Sequence, residues 1–165
     1  MAEEKIVLSD TSPLIGLAVA DAFEILRRLF TTISITESVR REVTARKTLP
    51  GAAEVRQGID DGWIQRLRDP RAGLSFPTLG PGETTILNVA LRVAPQCLVL
   101  MDDAAARAEA HARGIAVTGT AGVLLVARRR KLIPAVRPRL EKLFAAGFRM
   151  SPGVIGAILE ESGES

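Results

Sequence analysis

The chain is poor in several residue types, and each shortage narrows what it can do. It has no tyrosine, one tryptophan and five phenylalanines among 165 residues. Proteins that bind single-stranded nucleic acid usually stack the bases on aromatic side chains. If this chain binds nucleic acid, we therefore expect it to do so mainly through phosphates and shape.

Cysteine and histidine occur once each, as Cys97 and His111. One cysteine cannot form an internal disulfide, so the composition gives no indication of an oxidising compartment. One histidine leaves little material for a histidine-liganded zinc site or a Ser-His-Asp triad. We expect Cys97 to be buried in a strand and His111 to lie on a helix surface.

Long apolar runs and nucleotide-binding fingerprints are also missing. No run reaches the roughly 18 apolar residues of a membrane-spanning helix, and the acidic start Met1-Ala2-Glu3-Glu4-Lys5 does not resemble a signal peptide. We therefore expect a cytoplasmic protein without membrane contact. Neither GxxxxGK[ST] nor GxGxxG occurs, which excludes the P-loop and dinucleotide fingerprints.

What is present fits an ordinary folded core. The chain is 47% hydrophobic, and its length predicts one domain over residues 1–165. Short apolar segments at 5–9, 33–35, 63–67, 97–101 and 115–117 alternate with segments of helical spacing. This alternation predicts an α/β fold, a three-layer α/β/α sandwich around a mainly parallel sheet, with C-terminal helices about 136–160 packed on it.

Four carboxylates stand where a strand ends or a helix begins: Asp10, Glu42, Glu83 and Asp102. Helix capping or solvation explains each of them singly. We expect Ser12 to cap the first helix, so that Asp10 is not needed for capping. Asp102 and Asp103 are adjacent, and the helix that follows them needs only one of them as a cap. Ligands of open parallel sheets bind beyond the carboxyl ends of the strands, where converging acids would repel and favour a hard cation. The pattern predicts a metal-dependent enzyme.

A basic run, Arg128-Arg129-Arg130-Lys131, ends a predicted helix. Cations are favourable at a helix C-terminus in any case, so a solvated end and a phosphate-binding patch both remain open. Arg137 and Arg139 enlarge the cluster, and the net charge of +3 with a pI near 9.6 gives mild support to a polyanionic partner.

Several motifs, in this order, resemble those of PIN-domain nucleases, and within them the DUF3368 branch of VapC-like toxins and predicted nucleic-acid-binding proteins. The likeness extends over about residues 5–160. The motifs are Asp10-Thr11-Ser12-Pro13-Leu14-Ile15, Glu42-Val43, Gly82-Glu83, Asp102-Asp103 with Ala106-Arg107, Gly119-Thr120-Ala121-Gly122-Val123-Leu124, and two C-terminal segments at 132–138 and 146–152.

This resemblance implies a Mg²⁺- or Mn²⁺-dependent ribonuclease that hydrolyses phosphodiesters, the toxin of a toxin–antitoxin pair. Its implied partners are RNA, a small antitoxin protein and a second copy of the chain. The branch commonly carries a second acid two residues after Gly82-Glu83, where this chain has Thr85. The implied roles are catalytic acids at Asp10, Glu42, Glu83 and Asp102, metal ligands at Asp10, Asp102, Glu83 and Asp103, polar support for water or phosphate at Ser12 and Thr120, and RNA binding at Arg128, Arg129, Arg130 and Lys131.

Two other function classes compete with a nuclease. One is a PIN-like module that binds nucleic acid or protein without catalysis. The other is a receiver or phosphatase domain, which fits less well. A phosphatase of the Asp-x-Asp kind needs an acid where Ser12 stands, and a receiver places its acid doublet near the first strand.

Overall fold

The computed structural model describes residues 5–164. Met1–Glu4, on which the expectation about the N-terminus rests, and Ser165 lie outside the described residues. The strands are β1 (Ile6–Ser9), β2 (Ile33–Thr36), β3 (Ile64–Leu67), β4 (Cys97–Leu100) and β5 (Ala116–Thr118). The helices are α1 (Thr11–Val19), α2 (Phe23–Phe30), α3 (Glu37–Thr44), α4 (Ala52–Asp60), α5 (Pro81–Val93), α6 (Ala104–Ala112), α7 (Thr120–Arg129), α8 (Arg137–Ala145) and α9 (Pro152–Ser162).

The five strands form one parallel sheet in the order β3-β2-β1-β4-β5. The central strands are buried because their apolar residues face helices on both sides, whereas the edge strand β3 exposes Gln65 and Arg66. Cys97 is buried at the start of β4, and His111 is exposed on α6, as the sequence predicts. The prediction of a parallel sheet is confirmed.

The chain runs from β1 to β2 and β3 in one direction and then returns to β4 and β5 on the other side of β1. Right-handed crossovers therefore place α1–α4 on one face of the sheet and α5–α6 on the opposite face. The helices α7 and α8 contact α1, and α9 contacts α7. The predicted three-layer α/β/α architecture is confirmed, and the strand order reverses between β1 and β4.

Helix boundaries follow the expected signals, with one correction. The break near Ala20 separates α1 from α2, and the Thr36 hydroxyl caps α3 by accepting from the Val39 N–H at 3.3 Å. The assignment of Ser12 as the cap of α1 is wrong: α1 begins at Thr11, so Asp10 occupies the cap position. The Asp10 side chain makes no capping hydrogen bond. Asp10 is therefore not used as a side-chain cap, although the reason differs from the expected one.

A chain of hydroxyl groups joins the start of α3 to the first turn of α5. The Thr36 and Thr85 hydroxyl oxygens lie 2.8 Å apart, and Thr85 Oγ1 donates to the Gly82 carbonyl at 2.9 Å. Thr36 therefore donates to Thr85 while it accepts from the Val39 N–H. Thr85, which replaces the acid common in the resembling branch, thus fixes two helices that carry acidic residues.

None of the helices within residues 5–164 combines the length and the apolar character needed to cross a membrane.

We expect Thr85→Val to lower the free energy of unfolding by about 1–3 kcal/mol, because it removes a hydroxyl and leaves buried partners unsatisfied. Urea unfolding followed by circular dichroism measures this. Thr78→Val, at an exposed site, is the matched control and should stay within about 0.5 kcal/mol of the wild type. Equal stabilities of the two variants would contradict a structural role for the Thr85 hydroxyl.

Candidate active site

Asp10 lies at the point where the strand order reverses, directly after β1. Its N–H donates to the Leu100 carbonyl at 2.9 Å, so the β1–β4 pairing continues to this residue. The side chain is 2% exposed, and its Oδ1 has no hydrogen-bond partner. A buried carboxylate oxygen without a partner is costly and indicates a ligand.

Glu42 reaches the same place from α3. Its Oε1 accepts from the Gly82 N–H at 2.9 Å, and its Oε2 accepts from the Thr11 hydroxyl at 2.7 Å. A Cβ on Gly82 would lie 2.8 and 2.9 Å from these two oxygens and 3.1 Å from Asp10 Oδ1. The absence of a side chain at Gly82 therefore lets the carboxylates of Asp10 and Glu42 approach each other.

Asp102 follows β4 and is held by the start of α7. Its Oδ1 accepts from the Thr120 N–H at 2.7 Å, and its Oδ2 accepts from the Thr120 hydroxyl at 2.6 Å. A Cβ on Gly119 would lie 2.6 Å from Asp102 Oδ1, so only glycine leaves room for this approach. Thr120, a predicted support, thus positions an acid and is itself almost fully buried.

The two remaining acids flank the centre. Asp103 caps α6 by accepting from the Ala106 N–H at 2.9 Å, which leaves Asp102 free of that role, as the adjacent pair suggests. Glu83 lies in the first turn of α5, and its Oε2 accepts from the Gly80 N–H at 3.0 Å. Glu83, Asp102 and Asp103 line one cleft together with the exposed Ser12.

The acids influence one another electrostatically. Burial, and then the charges of Glu83, Glu42 and Asp102, raise the pKa of Asp10 to about 7 against the backbone hydrogen bond of Thr11. Burial also raises the pKa of Glu83, with Asp103 and Glu42 adding to the effect. The negative charges of the other acids therefore add to the effect of burial at Asp10. Without a cation, its carboxyl group is partly protonated near neutral pH.

The oxygen donors fit a hard divalent cation. Such ions prefer carboxylate oxygens, and Mg²⁺ is usually held by only one or two carboxylates and several waters. The unpartnered Asp10 Oδ1 meets that need. Among residues 5–164, no three acidic, histidine or cysteine side chains stand close enough together to form a ready-made metal cluster. The site thus brings donors to one edge without closing a complete coordination shell.

The cleft beside the acids has a second wall that sequence reasoning does not assign to the site. Arg107 on α6 and residues 148–151 and 154, around the α8–α9 junction, line it. Arg107 follows Asp103 by four residues and so shares its helix face, a signal present in the sequence. Arg149 lies in the link between two later helices, where no periodicity indicates its direction.

The predicted RNA-binding run does not join this cleft. Arg128–Lys131 lies at the C-terminal end of α7, a helix of ten residues that begins at Thr120, hence roughly 14 Å from the site. Arg129 is paired with Glu161 of α9 at 2.8 Å. A nucleic-acid role for this run stays a prediction, separate from the acidic edge.

Comparison with known proteins agrees with this architecture. The DUF3368 family, described as a PIN domain, matches residues 6–164, nearly the whole chain. No curated protein matches the chain significantly. PIN domains are generally nucleases and typically use divalent metals, so this is a nuclease-type fold. Because the match spans the strands and the acids that follow them, the chain belongs to the DUF3368 family of PIN domains.

Proposed function

We propose that this protein is a divalent-metal-dependent ribonuclease that hydrolyses phosphodiester bonds at the acidic edge of its sheet. The observation that carries the proposal is the buried, unpartnered Oδ1 of Asp10 at the switch point of a PIN fold. Asp10 and Asp102 would hold Mg²⁺ or Mn²⁺, with Glu83 and Asp103 beside them. A bound cation supplies Lewis-acid polarisation of the scissile phosphate and charge for the leaving oxygen.

The chain's own residues account for the geometry of this site. Thr120 occupies both oxygens of Asp102 and fixes their direction. The Gly82 N–H and the Thr11 hydroxyl do the same for Glu42. Such outer partners orient ligands before substrate arrives, which is what electrostatic preorganisation requires.

Glu83 is the acid best suited to accept a proton from the attacking water. It lines the cleft, and only one of its oxygens accepts a hydrogen bond, from Gly80. Its raised pKa, due first to burial, makes it a stronger base than an ordinary glutamate.

A binding module without catalysis is the second candidate function. It is favoured by the absence of a three-ligand cluster among the described residues and by Thr85, which occupies a structural hydrogen-bond chain where an acid is common. The two candidates differ in whether a metal changes the protein: a catalytic site must bind one, and a module need not.

The toxin role, with a small antitoxin and a homodimer, belongs to the same proposal and rests on the resemblance to VapC-like proteins. An antitoxin that inhibits by covering the acidic edge must shield Asp10 and the cleft beside it. Addition of such a partner should therefore block cleavage without removing the metal.

We expect Asp10→Asn to reduce cleavage of labelled single-stranded RNA by more than about a hundredfold, since loss of even an outer partner of a metal ligand costs 10–100-fold. Excess Mn²⁺, at about a hundred times its Kd, should stabilise the wild type by about 2.7 kcal/mol, roughly 5–10 °C in Tm. Asp10→Asn should lose that increase. Cleavage is measured with Mg²⁺ or Mn²⁺ against EDTA, and Tm by calorimetry.

Asp60→Asn, an exposed aspartate on α4, is the control and should behave as the wild type in both assays. If folded Asp10→Asn cleaved RNA at the wild-type rate, the assignment of Asp10 would be lost. A wild type whose Tm no divalent ion changes would favour the binding module.

In EDTA, the wild type should lose stability as the pH rises from 5 to 8. The pKa of Asp10 is raised in the folded state, so its favourable contribution is complete below its unfolded pKa near 4 and disappears as the pH rises through about 7. Between pH 5 and pH 8 the expected loss is on the order of 3 kcal/mol. Chemical unfolding at each pH measures it, and Asp10→Asn should flatten the profile.

The groups with lowered pKa values, Asp21, Glu37 and Glu164, titrate below this window and do not mask the effect. Mn²⁺ competes with the Asp10 proton, so its stabilisation should be larger at pH 8 than at pH 5. Identical pH profiles for the wild type and Asp10→Asn would mean that Asp10 is ionised throughout.

Gly82→Ala should weaken metal binding while the fold persists. The new Cβ would push against both oxygens of Glu42 and against Asp10 Oδ1, and so force the two carboxylates apart. We expect the Mn²⁺-dependent rise in Tm to fall by at least half. Gly156→Ala, where a Cβ meets open space, is the control. An unchanged rise in Gly82→Ala would contradict a metal site that depends on the position of Asp10 Oδ1.

A further inference from the structure

Arg107 is a half-buried cation in the acidic cleft, and its side chain makes no hydrogen bond or ion pair within residues 5–164. Its Nη1 lies 3.0 Å from the position of a Cβ on Gly119, and Asp102 Oδ1 lies 2.6 Å from the same position. The two groups are neighbours, yet Asp102 gives both of its oxygens to Thr120. The guanidinium carries five N–H donors, and none of them is used by a partner within residues 5–164, so donors remain for a ligand of the cleft that Arg107 lines.

Arg149 lines the same cleft from the link between α8 and α9, and it too has no hydrogen-bond partner within residues 5–164. Several arginines elsewhere in the described chain are engaged, such as Arg66 and Arg40 with Glu37, and Arg129 with Glu161. Arg107 and Arg149 differ from the remaining unpaired arginines in their location, because both line the acidic cleft. Two unengaged guanidinium groups thus face a cleft whose other wall is acidic. Planar, charged donors of this kind match phosphate oxygens.

Apolar side chains line the same cleft as these arginines and the acids. Phe148, Met150 and Val154 line the cleft, and Val154 is 48% exposed although it is a large hydrophobic residue. The cleft holds about 430 Å³, a volume in the lower part of the range for small-ligand sites and too small for a duplex. A base unstacked from a single strand fits such a space and gains by burying its face against apolar side chains.

We propose that Arg107 and Arg149 hold two phosphates of one single strand, with the intervening base against Phe148, Met150 and Val154. The inference rests on the proposed function, because a phosphate bound at Arg107 would lie beside the acids of the proposed catalytic site. Carboxylates alone repel a phosphodiester, so the substrate needs cations of the protein to enter an acidic cleft. Arg107 supplies that charge next to Asp102.

The test is binding of a fluorescein-labelled RNA tetranucleotide, measured by anisotropy in EDTA at several salt concentrations. Arg107→Ala and Arg149→Ala should each weaken binding about tenfold, since each removes charge-assisted hydrogen bonds. Each should also reduce the slope of log K against log salt by about 0.7, the value for one phosphate of a single strand. Arg28→Ala, exposed at the end of α2, is the control and should change neither quantity.

A second probe separates phosphate binding from a structural role. A tetranucleotide with methylphosphonates in place of its phosphates should bind the wild type weakly, and Arg107→Ala should not weaken it further. If each variant lost affinity equally for charged and neutral probes, with an unchanged salt slope, the arginines would be structural and the proposal would fail. Binding of an RNA duplex as tight as that of the single strand would also overturn it.

These measurements are independent of catalysis because EDTA removes the metal. Arginine-dependent binding by a protein that does not cleave RNA would support this inference and remove the nuclease. RNA cleavage by a protein whose RNA affinity is unchanged in both arginine variants would support the nuclease and overturn this inference.

Discussion

The burial of one carboxylate, that of Asp10, is the constraint on which the site depends. Hydrogen bonding between β1 and β4 extends to its backbone, and the surrounding helices leave its side chain only 2% exposed. A carboxyl group in such a position is stable only if it is protonated, and so neutral, or if a cation compensates its charge. Desolvation is the main cause of the raised pKa of Asp10, and its Oδ1 has no hydrogen-bond partner among the described residues that would offset the cost of burial.

The neighbouring acids have hydrogen-bond partners, whereas Asp10 Oδ1 has none among the described residues. Glu42 is engaged by the Gly82 N–H, and Asp102 by Thr120, so their oxygens have fixed directions and partial compensation. Glycines at 82 and 119 let these carboxylates approach the backbone closely. The resulting edge holds the carboxylates of Glu42 and Asp102 in fixed directions and leaves the buried Asp10 Oδ1 without a hydrogen-bond partner.

The sequence predicts the fold well because the signals are local: apolar runs give strands, and Thr36 caps its helix as expected. It also predicts that Asp10 and Asp102 lie at one edge, since both follow strands of a parallel sheet. It cannot give the order of the strands, and therefore cannot show that these two acids flank the switch point. The cap of α1 is misassigned to Ser12 because aspartate and serine both favour the cap position. Only the extended backbone angles at Asp10 show at which residue the helix begins. Arg149 is missed because no periodic pattern governs a link between helices.

A cation and a nucleic-acid strand should bind to this edge cooperatively, and the reason is electrostatic. Each acid that the cation neutralises removes a repulsion felt by an incoming phosphate, and each phosphate strengthens the attraction for the cation. The free-energy coupling must be equal in both directions. Arg107 and Arg149 supply charge that does not depend on the cation, so they would set the affinity of the empty site, while Asp10 would set how far that affinity rises when the cation displaces its proton. Under the proposed function, substrate binding and metal binding at this edge would therefore be linked equilibria, coupled through the same buried carboxylate.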